Sequence, residues 1–171
     1  MSNNKQKHIL AIIVENVPGV LARVIGLFSG RGYNIDSLTV STIDDSDKLS
    51  RITVATFCDE HIIEQIQSQI DRLIPVVKVE HLNDDYIERE LSLVKVIASG
   101  EKRVEALRTA DIFRCRVLDS SAEHFIFEVT GHSKKIRAFE KLMSGLGEVE
   151  KVSTGSVAVH RGAAMLSIDQ D

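Results

Sequence analysis

The sequence of 171 residues is poor in cysteine, proline and tryptophan, with two cysteines, two prolines and no tryptophan. Cys58 and Cys115 lie far apart and form no Cys-x-x-Cys pair, so we expect two structural thiols in a reducing compartment. The first seven residues are polar and precede no apolar signal core, which favours the cytoplasm. No apolar run approaches the ~20 residues of a membrane helix, so we expect no membrane partner.

Basic and aromatic residues are also too sparse for nucleic-acid binding. The 21 lysines and arginines are scattered among 25 aspartates and glutamates, which gives a formal net charge of −4, and aromatic residues make up 5% of the chain. Phosphate backbones would be repelled, and few rings are present to stack on bases. We therefore expect no nucleic-acid partner.

Recognisable catalytic motifs are missing as well. The sequence has no phosphate loop, no dinucleotide-binding glycine fingerprint and no nucleophile elbow. The six histidines occur singly and without ligand spacing, so we predict no metal site and no catalytic residues. A small enzyme that uses Arg23 to hold an anion is a weak alternative, because the helix around Arg23 is explained by packing and capping.

The apolar periodicity alternates between strand and helix in the order β-α-β-β-α-β. The predicted elements are a strand at 9–14, a helix with Pro18 in its first turn, strands at 33–43 and 50–58 around an acidic loop at 44–47, a helix between Asp59 and Pro75, and a strand at 76–82. The apolar phase slips between Ile35 and Leu38, which predicts a bulge near Asp36.

After a polar linker at 83–85, the same order of elements returns. It comprises a strand at 91–98, a helix marked by Val104 and Leu107, a hairpin of 115–118 with 125–129, a helix opened by Ser133 and a last strand at 149–152. We predict an α+β fold of two ferredoxin-like units, with domains at 1–83 and 84–171. Such a sheet carries both helices on one face and leaves the other face and one edge uncovered, so we expect a symmetric dimer that pairs the edges.

The turn Asn16-Val17-Pro18-Gly19 connects the first strand to the first helix. Asn16 is a capping residue, Pro18 suits the first helical turn, and Gly19 lets a ligand approach the backbone. The amides of Gly19, Val20 and Leu21, with the positive end of the helix dipole, would bind a small anion such as a carboxylate. The alternative is a simple cap and turn. The second unit has Ser99-Gly100-Glu101-Lys102 here, so we infer that only the first unit binds a ligand.

Several segments together resemble a known family. They are Glu15-Asn16-x-Pro18-Gly19-Val20-Leu21, the run from Ser29 to Val40, and the stretches 89–91, 93–96, 112–114 and 155–162. This combination resembles the regulatory subunit of acetohydroxyacid (acetolactate) synthase, which carries an amino-acid-binding ACT domain.

The resemblance implies a non-catalytic subunit in branched-chain amino acid biosynthesis. It would activate a large catalytic subunit, which joins two pyruvates into 2-acetolactate, and it would confer feedback inhibition by valine. Thiamine diphosphate, Mg and FAD would belong to that large subunit, and this chain would bind no cofactor.

The resemblance also implies a homodimer through the ACT domains, with the effector in the interface. The effector residues carried over by position are Asn16, Val17, Pro18, Gly19, Val20 and Leu21 from one protomer, and Asn34 and Ile35 from the other. Isoleucine or leucine as effector remains an alternative. A stand-alone sensor with two ACT domains that regulates another pathway is the second functional hypothesis.

Overall fold

The computed structural model describes residues 5–43, 46–83 and 85–166, and these contain nine strands and four helices. The elements are β1 Gln6–Glu15, α1 Val20–Ser29, β2 Ile35–Thr42, β3 Leu49–Cys58, α2 Glu60–Ile70, β4 Val76–Leu82, β5 Tyr86–Ile97, α3 Gly100–Ile112, β6 Arg116–Ser120, β7 His124–Gly131, α4 Ser133–Ser144, β8 Glu148–Ser153 and β9 Val157–His160. No helix in this described part is both long and apolar enough to cross a membrane.

The chain forms two compact units. The first contains the described residues up to Ile87 and again from Ser156 onward, and the second is Glu88–Gly155. The domains predicted from the sequence differ from these units, because residues beyond 155 had been placed in the second domain. Each unit has an antiparallel sheet and two helices, which confirms the predicted α+β class.

The first unit is built on a four-stranded sheet in the order β2-β3-β1-β4. β1 pairs with β3 along its whole length, from Gln6 opposite Cys58 to Glu15 opposite Leu49. The main core fills one face of this sheet, where side chains of α1 and α2 meet those of the strands. Its helical members are Val20, Val24, Phe28, Ile63, Ile66 and Ile70.

The bulge predicted in β2 is present. Ile35 lies opposite Thr56 and Ser37 lies opposite Ala55, so Asp36 is the extra residue in the ladder. An inserted residue bends the strand and re-aims the side chains on either side of it. β2 lies at the edge of the sheet, and its outer side pairs with no other strand of the described chain.

The second face of the first sheet is covered, contrary to the prediction of an open face. All six residues from Ile9 to Val14 are at most 2% exposed, so β1 is buried on both sides. Ala158 of β9 packs against Ile9, Ala11, Ala55 and Leu82. The prediction that 149–152 is the last strand is therefore wrong, because the chain returns to the first unit as β9.

Hydrogen bonds fix this returning segment across the sheet. Thr39 Oγ1 donates to the carbonyl of Ser156 at 3.1 Å, and the Ser156 N–H donates to Ser37 Oγ at 3.1 Å. Arg51 Nη2 donates to the carbonyl of Ala158 at 2.6 Å. The segment consequently has a defined register on the sheet.

The second unit has the strand order β6-β7-β5-β8, with α3 and α4 over a core that includes Phe127 and Phe139. The sequence predicted the helix α3 from Val104 and Leu107, but these two residues do not lie on its buried face. Val104 is 52% and Leu107 37% exposed, and α3 buries Ala106, Thr109 and Ala110 instead. Small side chains on the inner face allow a helix to pack closely against its sheet. The larger Val104 and Leu107 therefore lie on the outer face of α3.

Both cysteines are free thiols, as the sequence predicted. Burial is the main cause that raises the pKa of Cys115 to about 11, and burial also raises the pKa of Cys58. Raised pKa values keep both thiols protonated near neutral pH, and protonated thiols are poor nucleophiles.

The covered second face of the sheet predicts a contrast between two neighbouring positions of β9. Ala158 is 4% exposed and Val159 53% exposed. Ala158→Asp would bury an unpaired carboxylate and should lower the free energy of unfolding by at least about 2 kcal/mol. Val159→Asp is the matched control and should cost well under half of that. Urea unfolding of both variants measures the difference, and equal losses would contradict the packing of β9.

Candidate effector site

The turn before α1 is held by backbone geometry rather than by a side-chain cap. Gly19 is the N-cap residue with a φ of +83°, a left-handed conformation that favours glycine, and no side chain caps the helix. The prediction that Asn16 caps the helix is wrong, because its side-chain amide donates to the carbonyl of Asp47 at 2.8 Å. Pro18 precedes the N-cap instead of lying in the first helical turn.

Only some backbone amides of the turn donate hydrogen bonds within the described chain. The N–H of Val17 donates to the carbonyl of Glu15 at 2.9 Å, and that of Val20 to the carbonyl of Val17 at 3.3 Å. The amides of Gly19, Leu21 and Ala22 have no acceptor among the residues that the structure describes. Two of the three predicted amides are thus available, and the amide of Ala22 is added to them.

The exposed Glu15 precedes the turn, but the start of α1 itself favours an anion. The first turn of α1 contains no acidic residue, and it carries the exposed Arg23. Unpaired amides and the positive end of the helix dipole add to this field. The corresponding turn of the second unit differs, because Glu101 lies in the first turn of α3. A carboxylate at that place would repel an anionic ligand.

The space in front of the turn is open. A Cβ atom built on Gly19 would meet no atom within 4 Å, and Asn16, Val17 and Pro18 are exposed. The turn is therefore not filled by its own side chains.

The apolar residues of the predicted site are oriented toward the protein interior. The side chain of Val20 is 7% exposed and belongs to the main core, and Leu21 packs partly against the same core. These two residues anchor the turn. Within this chain, Val20 contributes backbone rather than an apolar wall for a ligand.

Asn34 and Ile35 lie at the other end of α1. The helix of 10 residues separates them from Gly19, and at 1.5 Å per residue it is about 15 Å long. Asn34 is exposed and its carbonyl accepts a hydrogen bond from Thr56 at 2.7 Å, while Ile35 is half-buried against the core. One chain therefore does not bring the two halves of the predicted site together around a ligand the size of an amino acid.

Comparison with known proteins identifies the class and then the family. Residues 10–78 match the model of the AHAS small subunit-like ACT domain, so the first unit is an ACT domain. Residues 89–162 match the model of the small subunit of acetolactate synthase. The chain is also 47% identical over 156 residues to a probable acetolactate synthase small subunit of Archaeoglobus fulgidus, covering 91% of this chain and 98% of that protein. It belongs to the family of acetolactate synthase small subunits.

Other relatives are similar over their whole length. The isozyme 3 small subunit of Escherichia coli is 41% identical, with 91% of this chain and 96% of that protein covered. The crystal structure of the acetolactate synthase small subunit from Thermotoga maritima superimposes with a TM-score of 0.81 at 37% identity, covering 93% of this chain and 99% of that one. The similarity thus includes both units and not the ACT domain alone.

Proposed function

We propose that this chain is the valine-sensing regulatory subunit of acetolactate synthase. It activates a separate catalytic subunit, which carries the thiamine diphosphate, Mg and FAD, and it works in the cytoplasm as a homodimer. The observation that supports this proposal most directly is the open turn at Gly19, whose unpaired amides form an anion site in an ACT domain of this family.

A free amino acid has the groups that this turn can bind. Its carboxylate would accept hydrogen bonds from the amides of Gly19, Leu21 and Ala22. Since the amide nitrogen of Asn16 donates to Asp47, the Oδ1 atom of Asn16 is left to accept from the ammonium group. For the apolar side chain, the turn offers the exposed Val17 and Pro18, and a second apolar surface would have to enclose it from the other side.

A second copy supplies that surface if the two β2 edges pair. The bond between Asn16 and Asp47 holds the turn beside the β2–β3 loop, at the end of β2, whereas Asn34 and Ile35 lie at its start. In an antiparallel pair related by a two-fold axis, the start of one strand lies opposite the end of the other. Asn34 and Ile35 of the second copy would then close over the effector held by the first copy.

An effector in the interface can regulate by shifting an equilibrium. If valine binds the paired edges and not the separated ones, it stabilises one arrangement of the dimer by the difference in affinity. A coupling of roughly 1–3 kcal/mol would shift the equilibrium between the two arrangements about 5- to 150-fold. The chain needs no catalytic residue of its own for this role.

The stand-alone sensor with two ACT domains is the alternative. Relatives that match 91% of this chain are named as synthase small subunits. They favour the regulatory subunit over the sensor. Co-purification with the catalytic subunit, followed by calorimetric titration with valine, isoleucine and leucine, separates the two functions and identifies the effector. A chain that binds an amino acid and never the catalytic subunit would be such a sensor.

Gly19→Asp should give a subunit that still activates but no longer responds to valine. The new carboxylate would repel the carboxylate of the effector, so we expect the inhibitory concentration of valine to rise at least about tenfold. Gly19→Asn is the matched control, because asparagine tolerates the left-handed conformation about as well and brings no charge. Titration of reconstituted enzyme with valine measures both variants. Unchanged inhibition of Gly19→Asp would show that the effector binds elsewhere.

Mixed dimers test whether the site is shared between two copies. One chain carries Gly19→Asp and the other carries Asn34→Ala. If each site combines the turn of one chain with Asn34 of the other, one site contains both changes and the second site contains neither. Calorimetry should then give about half of the wild-type valine stoichiometry at wild-type affinity, because only one of two sites is damaged. The Asn34→Ala homodimer is the decisive comparison. A shared site predicts weakened valine binding at both of its sites, whereas a site contained within one chain at the turn would leave its affinity at the wild-type value.

A further inference from the structure

Two histidines and a glutamate from three elements of the first unit meet outside the effector site. His8 is on β1, His81 is on the neighbouring β4, and Glu60 opens α2. The ladder places His81 opposite Leu10, so His8 lies two residues further along the adjacent strand and on the same face. The sheet and the helix above it thus bring His8 together with two residues that lie more than fifty positions further along the sequence.

The ligand atoms of these three residues lie within reach of a single ion. His8 Nδ1 is 3.1 Å from His81 Nε2, and it is 3.8 Å from Glu60 Oε2. His81 Nδ1 is 3.9 Å from Glu60 Oε1. Around a tetrahedral zinc ion with bonds of about 2.0–2.1 Å, neighbouring ligand atoms would be about 3.3 Å apart. The two separations from His8 Nδ1, 3.1 and 3.8 Å, lie on either side of that value.

The ring of His8 is oriented as in metal sites. His8 is 5% exposed, and its Nε2 lies 3.1 Å from the carbonyl oxygen of Cys58. Because a carbonyl only accepts, Nε2 must carry the hydrogen, which leaves the lone pair of Nδ1 directed at His81 and Glu60. A backbone carbonyl that fixes the far nitrogen of a ligating histidine is a common feature of metal sites.

A hydrogen-bonded histidine pair without a metal is the competing interpretation. In that arrangement His81 Nε2–H donates to His8 Nδ1, and the Nδ1 of His81 faces the carboxylate of Glu60. A carboxylate accepts and does not donate, so this contact is favourable only when His81 is doubly protonated. A divalent cation satisfies both lone pairs and the carboxylate at once, with both imidazoles neutral.

We propose that His8 Nδ1, His81 Nε2 and the carboxylate of Glu60 bind a divalent transition metal ion of the zinc class. Two imidazoles and a carboxylate form a three-ligand set that suits this ion and leaves a fourth position for water. Glu60 is 62% exposed, which gives the ion a path from solvent. The bound ion joins β1, β4 and the start of α2, and it thereby stabilises the ACT domain independently of the effector.

The test uses the untagged full chain, stripped with chelator and titrated with Zn²⁺ by calorimetry. We expect one site per chain, and a Zn²⁺-dependent rise in the thermal midpoint. Co²⁺ should give the visible absorption of a tetrahedral site. Glu60→Gln changes an exposed side chain and should retain the fold, yet it should weaken binding about tenfold or more. His81→Gln should abolish the Co²⁺ spectrum.

His61→Gln is the matched control, because His61 is an exposed histidine next to Glu60 in the sequence and is not a member of the cluster. It should bind Zn²⁺ as the wild type does. The proposal is overturned if the wild-type chain binds no Zn²⁺ at micromolar concentrations, as a proton-bridged pair predicts. It is equally overturned if Glu60→Gln and His81→Gln bind as tightly as the wild type, since the ion would then lie on another part of the surface.

Discussion

The burial of β1 on both faces is the constraint on which the first unit depends. The run Ile9-Leu10-Ala11-Ile12-Ile13-Val14 is at most 2% exposed, with alternate side chains directed to opposite sides of the sheet. One set meets α1 and α2, and the other meets Ala158 of the returning segment. Six apolar side chains removed from water contribute on the order of 10 kcal/mol before the entropy of ordering is counted.

The buried central strand fixes where the turn before α1 begins. The Glu15 N–H donates to the carbonyl of Pro75 and the Asn16 N–H to that of Lys48, so the end of β1 is held by both neighbouring connections. The chain then has to reverse into α1 within four residues, and Gly19 makes this possible through its left-handed conformation. The same conformation leaves amides without partners. The need for a sharp turn and the capacity to bind an anion therefore have one structural origin.

The two potential ligand sites of this unit differ in how they are completed. The effector site has its halves at opposite ends of α1, and the proposed arrangement requires a second copy to unite them. The histidine cluster is complete in one chain, because β1 and β4 are neighbours and α2 begins above them. A site that a second copy completes can regulate through assembly. A site that is complete within one chain can only stabilise the unit that contains it.

The sequence predicted the elements well, because strand and helix periods are local properties. β4 has the predicted bounds, and the bulge at Asp36 follows from a slip in apolar phase, although α1 begins after Gly19 and thus later than the predicted cap at Asn16. The sequence also contained a signal that we interpreted incompletely. An unbroken apolar run such as Ile9–Val14 is typical of a strand covered on both faces, and we still predicted an open face.

The sequence by itself determined the order of elements, the glycine turn before α1 and the family, since each is encoded in contiguous residues. Only the tertiary structure decided which segment covers the second face of the sheet, which face of α3 is buried, and that His8, Glu60 and His81 converge. These features depend on residues far apart in the chain, and no local period records which distant side chains a sheet will place side by side.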